Sequence, residues 1–215
     1  MEFKKLMKKT LPVILSLGLN FISPKYTETK QALIRENKQA PIKESHRNYY
    51  NQNWAGSVKV TNISIGADEE FIAKYGNSWK SQLENYIKGV SENYYSNFGI
   101  EFKIVEYIEW KSDDFSDYFS LVNDLEKIPV QGDFMVGFTK QKDYLILGVA
   151  GEKSALVEDS WEDCSVYVTI HELGHLFGLK HVSAQGSFMY KFSSFCHPRL
   201  SYWDEESREK MLENK

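Results

Sequence analysis

Eleven residues near the C-terminal end, HELGHLFGLKH from His171 to His181, constrain this chain more than any other stretch. Their pattern is H-E-x-x-H-x-x-G-x-x-H. An α-helix turns through 3.6 residues, so His171 and His175 leave the same face one turn apart and can grip one Zn²⁺ from one side. Glu172 is rotated by about 100° and flanks such an ion rather than binding it. That is the place for a base acting on zinc-bound water. Gly178 can take the left-handed backbone that ends a helix and reverses the chain, bringing His181 back as a third ligand. Three protein ligands with a fourth position open make a catalytic rather than a structural zinc site. A lone H-E-x-x-H arises by chance on ordinary helices, but all five fixed positions do so in one chain on the order of 1 time in 10⁵. Three of the five histidines fall inside the motif.

The motif resembles that of the metzincin zinc endopeptidases, which extend the zinc helix with G-x-x-H and follow it with a Met-containing turn. Ser187-Phe188-Met189-Tyr190 supplies such a turn here. The resemblance implies that Met189 forms an apolar floor beneath the three histidines without touching the metal. It implies a substrate lying extended along the fourth strand, paired with the backbone of Gly148, Val149 and Ala150. Tyr190, Lys191, Phe192 and Ser193 would then wall the pocket beside the cut. Tyr167 lies four residues before His171, one turn earlier on the same face. By likeness to the matrix metalloproteinases it would make the pocket for the residue after the cut shallow; an ordinary buried core tyrosine is the other reading. The implied reaction is hydrolysis of internal peptide bonds by zinc-bound water, with Glu172 taking its proton and passing it to the leaving amine.

The family within the superfamily stays open. Val182 follows the third histidine, where adamalysins typically have Asp, astacins Glu and serralysins Pro. The S-F-M-Y turn and Arg199-Leu200-Ser201 resemble matrix metalloproteinases, although Lys191 stands where those have Pro. The wording DFMVGFT and GVAGEKSALV resembles adamalysin-type bacterial relatives.

The remainder of the chain fits one such domain. Its 215 residues, 42% apolar and 14% aromatic, suffice for a substantial core. The first residues carry Lys4, Lys5, Lys8 and Lys9, and Leu11 to Ser23 is apolar. Residues 1–23 therefore read as a signal peptide, too short for a stable membrane span. A buried or amphipathic N-terminal helix is the alternative. Residues 24–53 are polar and read as a linker or short pro-segment. No Cys precedes Cys164, so a cysteine that caps the zinc from upstream is not expected.

The catalytic domain is expected over 54–215, as an α/β (α+β) metzincin-like domain. It should hold a mixed five-stranded twisted sheet, two packing helices, the zinc helix, the Met-turn and a C-terminal helix. Strands are expected at Ser57–Ile65, Ile100–Trp110, Asp133–Thr139, Tyr144–Ala150 and Ser154–Val157. In the second strand Ile100, Phe102, Ile104, Ile108 and Trp110 should share one face, with Glu106 the exception. A short helical turn opens at Asp68 and ends at Gly76. A long helix follows over 78–98 with the stripe Trp79, Leu83, Tyr86, Ile87, Val90 and Tyr94 inward. Another spans 116–128 with Phe119, Leu121, Val122, Leu125 and Ile128 inward. The last starts at Ser201, in a capping box with Asp204.

Asp113, Asp114 and Asp117 precede the third of these helices and could bind Ca²⁺, but acids at a helix N-terminus follow from the macrodipole alone. Cys164 and Cys196 are candidates for a disulfide in an exported chain, with two buried free thiols as the rival. A net charge of −4 without a basic, aromatic-interleaved patch gives no hint of nucleic-acid binding, so no nucleic-acid partner is expected. The expected partner is a protein or peptide substrate, met by a secreted monomer holding one Zn²⁺. Two other readings stay open: a catalytically inactive zinc-binding recognition module, and an intracellular or membrane-tethered peptidase.

Overall fold

β-branched residues alternating with polar ones make the first strand, β1, at Lys59–Ala67. The computed structural model describes residues 54–113, 116–141, 146–191 and 201–215. The expected signal peptide and linker, Asp114, Tyr144, Phe192, Ser193, Cys196, Arg199 and Leu200 lie outside those residues. After β1 come α1 (Glu69–Tyr75), a 3₁₀ turn (Gly76–Ser78), α2 (Trp79–Phe98), β2 (Ile100–Glu109), α3 (Tyr118–Leu125) and β3 (Phe134–Thr139). The chain continues through β4 (Gly148–Ala150), β5 (Ser154–Glu158), α4 (Glu162–Leu176) and α5 (Glu205–Asn214). The sheet order is β2-β1-β3-β5-β4. All neighbours are parallel except β4, which runs antiparallel to β5 at the edge.

Two helices cover one face and one covers the other. The expected stripe of α2 is buried in full and packs with α4 against Ile63, Ile65, Phe102, Val136, Phe138 and Val157. α3 covers the opposite face, where Tyr118, Leu121, Val122 and Leu125 meet Met135, Val149 and Leu156. Period-2 alternation explains the division: Val136 and Phe138 point one way along β3 and Met135 the other. α5 closes the first core through Met211, and Trp203 just before it packs edge-on against Tyr94 and Phe98.

Four expectations need correction. β1 starts two residues later than the pattern suggests, because pairing begins where Lys59 meets Ile100; Val58 and Val60 are left exposed. Along β2 the register slips between Ile63 and Ser64, so Val105 is an extra, bulged residue. The slip turns the strand over: Ile100, Phe102 and Ile104 face the α2 core, whereas Ile108 and Trp110 face α3. Glu106 thereby comes to accept from the Ser64 hydroxyl and the Gln131 amide. In α3 the buried positions are 118, 121, 122 and 125, so Phe119 falls off the stripe and is 61% exposed. Finally, α5 has Asp204 as its N-cap, accepting from Ser207 N, and Ser201 lies before the helix rather than capping it.

Asp117 likewise spends its carboxylate as the α3 N-cap, on the Ser120 amide. No described helix is long and apolar enough to cross a membrane.

Candidate metal centre

α4 carries the site in its last two turns. Its buried side is apolar, with Val168, Ile170 and Leu173 in the core, and Tyr94 Oη donates to the Ile170 carbonyl at 2.9 Å. The helix ends at Leu176, and Gly178 takes φ 84°, the left-handed conformation a residue without Cβ adopts at no steric cost. Gly178 N then bonds the His175 carbonyl and Leu179 N bonds that of Gly174, which turns the chain back toward the helix.

The return brings the three histidines together. His171, His175 and His181 Nε2 lie 3.2 Å from one another in all three pairs. His171 Nδ1 donates to the Phe188 carbonyl at 2.6 Å and His175 Nδ1 donates to that of Leu179 at 2.9 Å. With the proton on Nδ1, the Nε2 lone pairs of both converge on one point. A tetrahedral zinc with bonds of about 2.0–2.1 Å separates its nitrogen ligands by about 3.3 Å, so this donor set fits the ion. Among the described residues no other three His, Cys, Asp or Glu side chains come together in this way. Burial, and then the neighbouring His175 imidazole, pushes His171 down to about 3, and burial also lowers His175 and His181. All three shifts favour the neutral imidazole, the form that binds a metal.

Glu172 is 5% exposed beside this cluster, outside the ligand triangle. Burial alone pushes its carboxyl up to about 8. A cation held by the histidines would act in the opposite direction and favour the carboxylate. Met189 is fully buried behind the site. Its sulfur occupies the space of an absent side chain: a Cβ on Gly174 would sit 2.5 Å from Met189 Sδ. Gly174 is thus part of the site, although it occupies an unspecified position of the H-E-x-x-H pattern. The signal was there, since an interior helix glycine costs about 1 kcal/mol and asks for a packing reason.

Of the other expected site residues, Gly148, Val149 and Ala150 form β4 on the sheet edge. Tyr190 makes an isolated bridge with Val182, and exposed Lys191 lies close enough to lower His181 further. Tyr167 is buried beneath the Met-turn, its ring tilted against Phe188 at 5.6 Å and its hydroxyl donating to the Ser187 carbonyl. Cys164 is fully buried and is not a free thiol.

A family model described as metallo-peptidase family M12 matches residues 57–210. No curated protein matches the chain in sequence. Among solved structures the fold is similar to archaemetzincin from Methanopyrus kandleri, at 19% identity and a TM-score of 0.58, covering 75% of this chain and 98% of that one. It is also similar to a chain in a structure described as a chaperone–substrate complex, at 16% identity and a TM-score of 0.56. There the match covers 75% of this chain and 34% of the other, so the present chain spans about a third of it. With the family model covering most of its length, and with three histidines arranged as a zinc ion would need, the chain belongs to metallo-peptidase family M12.

Proposed function

We propose that the chain is a secreted, zinc-dependent endopeptidase that cuts extended peptide segments laid along β4. The observation that carries this reading is the three-histidine cluster with Glu172 beside it and β4 at the edge of the described sheet. His171, His175 and His181 would hold the ion. When bound, Zn²⁺ polarises the scissile carbonyl and lowers the pKa of a water toward about 7.

The rest is work for the chain's own residues. A Glu172 carboxylate oxygen takes the proton as the water oxygen adds to the carbonyl carbon. The same carboxyl then returns that proton to the amine nitrogen as the carbon–nitrogen bond breaks. Gly148, Val149 and Ala150 hold the substrate backbone by strand pairing, which suits an interior segment of a chain better than a terminus. Tyr190, Lys191 and Phe192 shape the pocket beside the cut, and Tyr167 limits its depth from below.

The basic-then-apolar N-terminus supports export, with residues 1–23 as leader and 24–53 as linker. A Cys164–Cys196 bridge accords with that compartment and with the absence of a free thiol at Cys164. A proteome-derived peptide library, digested with zinc-loaded and chelated protein, tests the reading. Internal cuts that vanish on chelation and return with zinc support it. Release of terminal residues alone, or cleavage indifferent to chelation, contradicts it.

A further inference from the structure

Gly148 opens β4 directly above the active-site helix. A Cβ built on it would meet Val168 Cγ1 at 2.6 Å, Glu172 Oε1 at 2.9 Å and Glu172 Cγ at 3.0 Å. Real Cβ atoms do not approach other heavy atoms so closely, so the space a side chain would need at 148 is filled by the glutamate itself. Among the described residues no hydrogen bond holds that carboxylate. Packing alone sets its position, and the bare Gly148 Cα is one wall of its seat.

We infer that Gly148 is a positioning residue: its missing side chain lets the strand pack down on Glu172 and fixes where the carboxylate stands. The inference rests on Glu172 being the base. Of the groups around the seat, Val168 has least freedom, being β-branched, helical and 2% exposed. β4 is tied to β5 through the pairs Gly148–Val157, Val149–Leu156 and Ala150–Ala155. The Glu172 side chain, with three rotatable bonds, is what gives way when a methyl is added. A displacement of about 1 Å at a reacting group is enough to lose on the order of 100-fold in rate.

The test is a double-mutant cycle on the full chain, combining Gly148→Ala with Glu172→Ala. In zinc-loaded protein, Gly148→Ala alone should lower kcat by about 10- to 100-fold with KM within about threefold of wild type. Added to Glu172→Ala, it should lower the residual kcat by less than about twofold, because the group it displaces is gone. Urea midpoints of metal-free protein give a reading independent of turnover. Gly148→Ala should destabilise the wild type clearly more than it destabilises the Glu172→Ala variant. Additive effects in either measurement, or a loss carried mainly by KM, overturn the inference. If Gly148→Ala fails to fold, the double variant, with its seat emptied, should fold; failure of both also overturns it. A Glu172→Ala variant as active as wild type would instead remove the base assignment itself, so the two failures are told apart.

Discussion

Ser187→Ala is the change with the most consequences for its size. Ser187 is fully buried in the Met-turn, and its hydroxyl donates to Asp204 Oδ2 at 2.5 Å while accepting from Met189 N at 3.0 Å. It joins the N-cap of α5 to the turn whose Phe188 carbonyl orients His171. Removing the hydroxyl loses a bond to a carboxylate, worth about 1.5–3 kcal/mol, and leaves a buried amide unpaired at about 1–3 kcal/mol. Asp204 keeps Ser207 N and the Ser207 hydroxyl, so its charge is not stranded and the sum stays toward the low side. The expected loss is about 2.5–4 kcal/mol. Urea denaturation of metal-free protein measures it, because bound zinc would add its own stabilisation by mass action. A loosened turn should also weaken zinc binding, by up to about tenfold. A loss below about 0.5 kcal/mol would refute the bridging role.

Other consequences follow from the same geometry. Gly174→Ala should destabilise by about 1–3 kcal/mol despite the better helix propensity of alanine, because the new methyl meets Met189 Sδ; a gain in the urea midpoint contradicts this. Glu126 Oε1 accepts from Lys153 N and Ser154 N, both at 2.9 Å, and so holds the β4–β5 turn; Glu126→Ala should raise KM for peptides more than it lowers kcat, and an unchanged KM speaks against β4 as the docking edge. Burial raises the Asp68 carboxyl above its ordinary 3.8, so folding favours its protonated form. That contribution is full below pH 3.8 and is lost as pH rises through the folded value. Asp68→Asn keeps an acceptor for Phe71 N and should flatten this fall; urea midpoints with an unaltered slope just above pH 4 would count against it.

The sequence carried the site further than it carried the fold around it. His171, Glu172, His175, Gly178 and His181 are fixed by helix spacing and one reversal, which are local properties a pattern can show. The α2 stripe was legible for the same reason. What escaped was set at a distance. The bulge at Val105 turns β2 over, yet Ile100–Trp110 reads as one alternating face with Glu106 a lone exception, because the slip depends on pairing with β1. Phe119 looks like a core residue until Asp117 fixes where α3 begins. The carbonyls of Phe188 and Leu179, which set the tautomers of two histidines, carry no side-chain signature at all. Gly148 and Gly174 matter through what fills the space beside them, which only the packed structure shows.

The most direct test of the central claim is turnover by Glu172→Ala protein whose zinc content is measured on the same sample. Glu172 stands outside the ligand triangle of His171, His175 and His181, so the variant should still hold one zinc per chain. Its kcat should fall by about 10²–10⁴-fold, the usual contribution of a general base. Zinc lost together with activity would make Glu172 a ligand, and full zinc with activity within about tenfold of wild type would leave the site without its base.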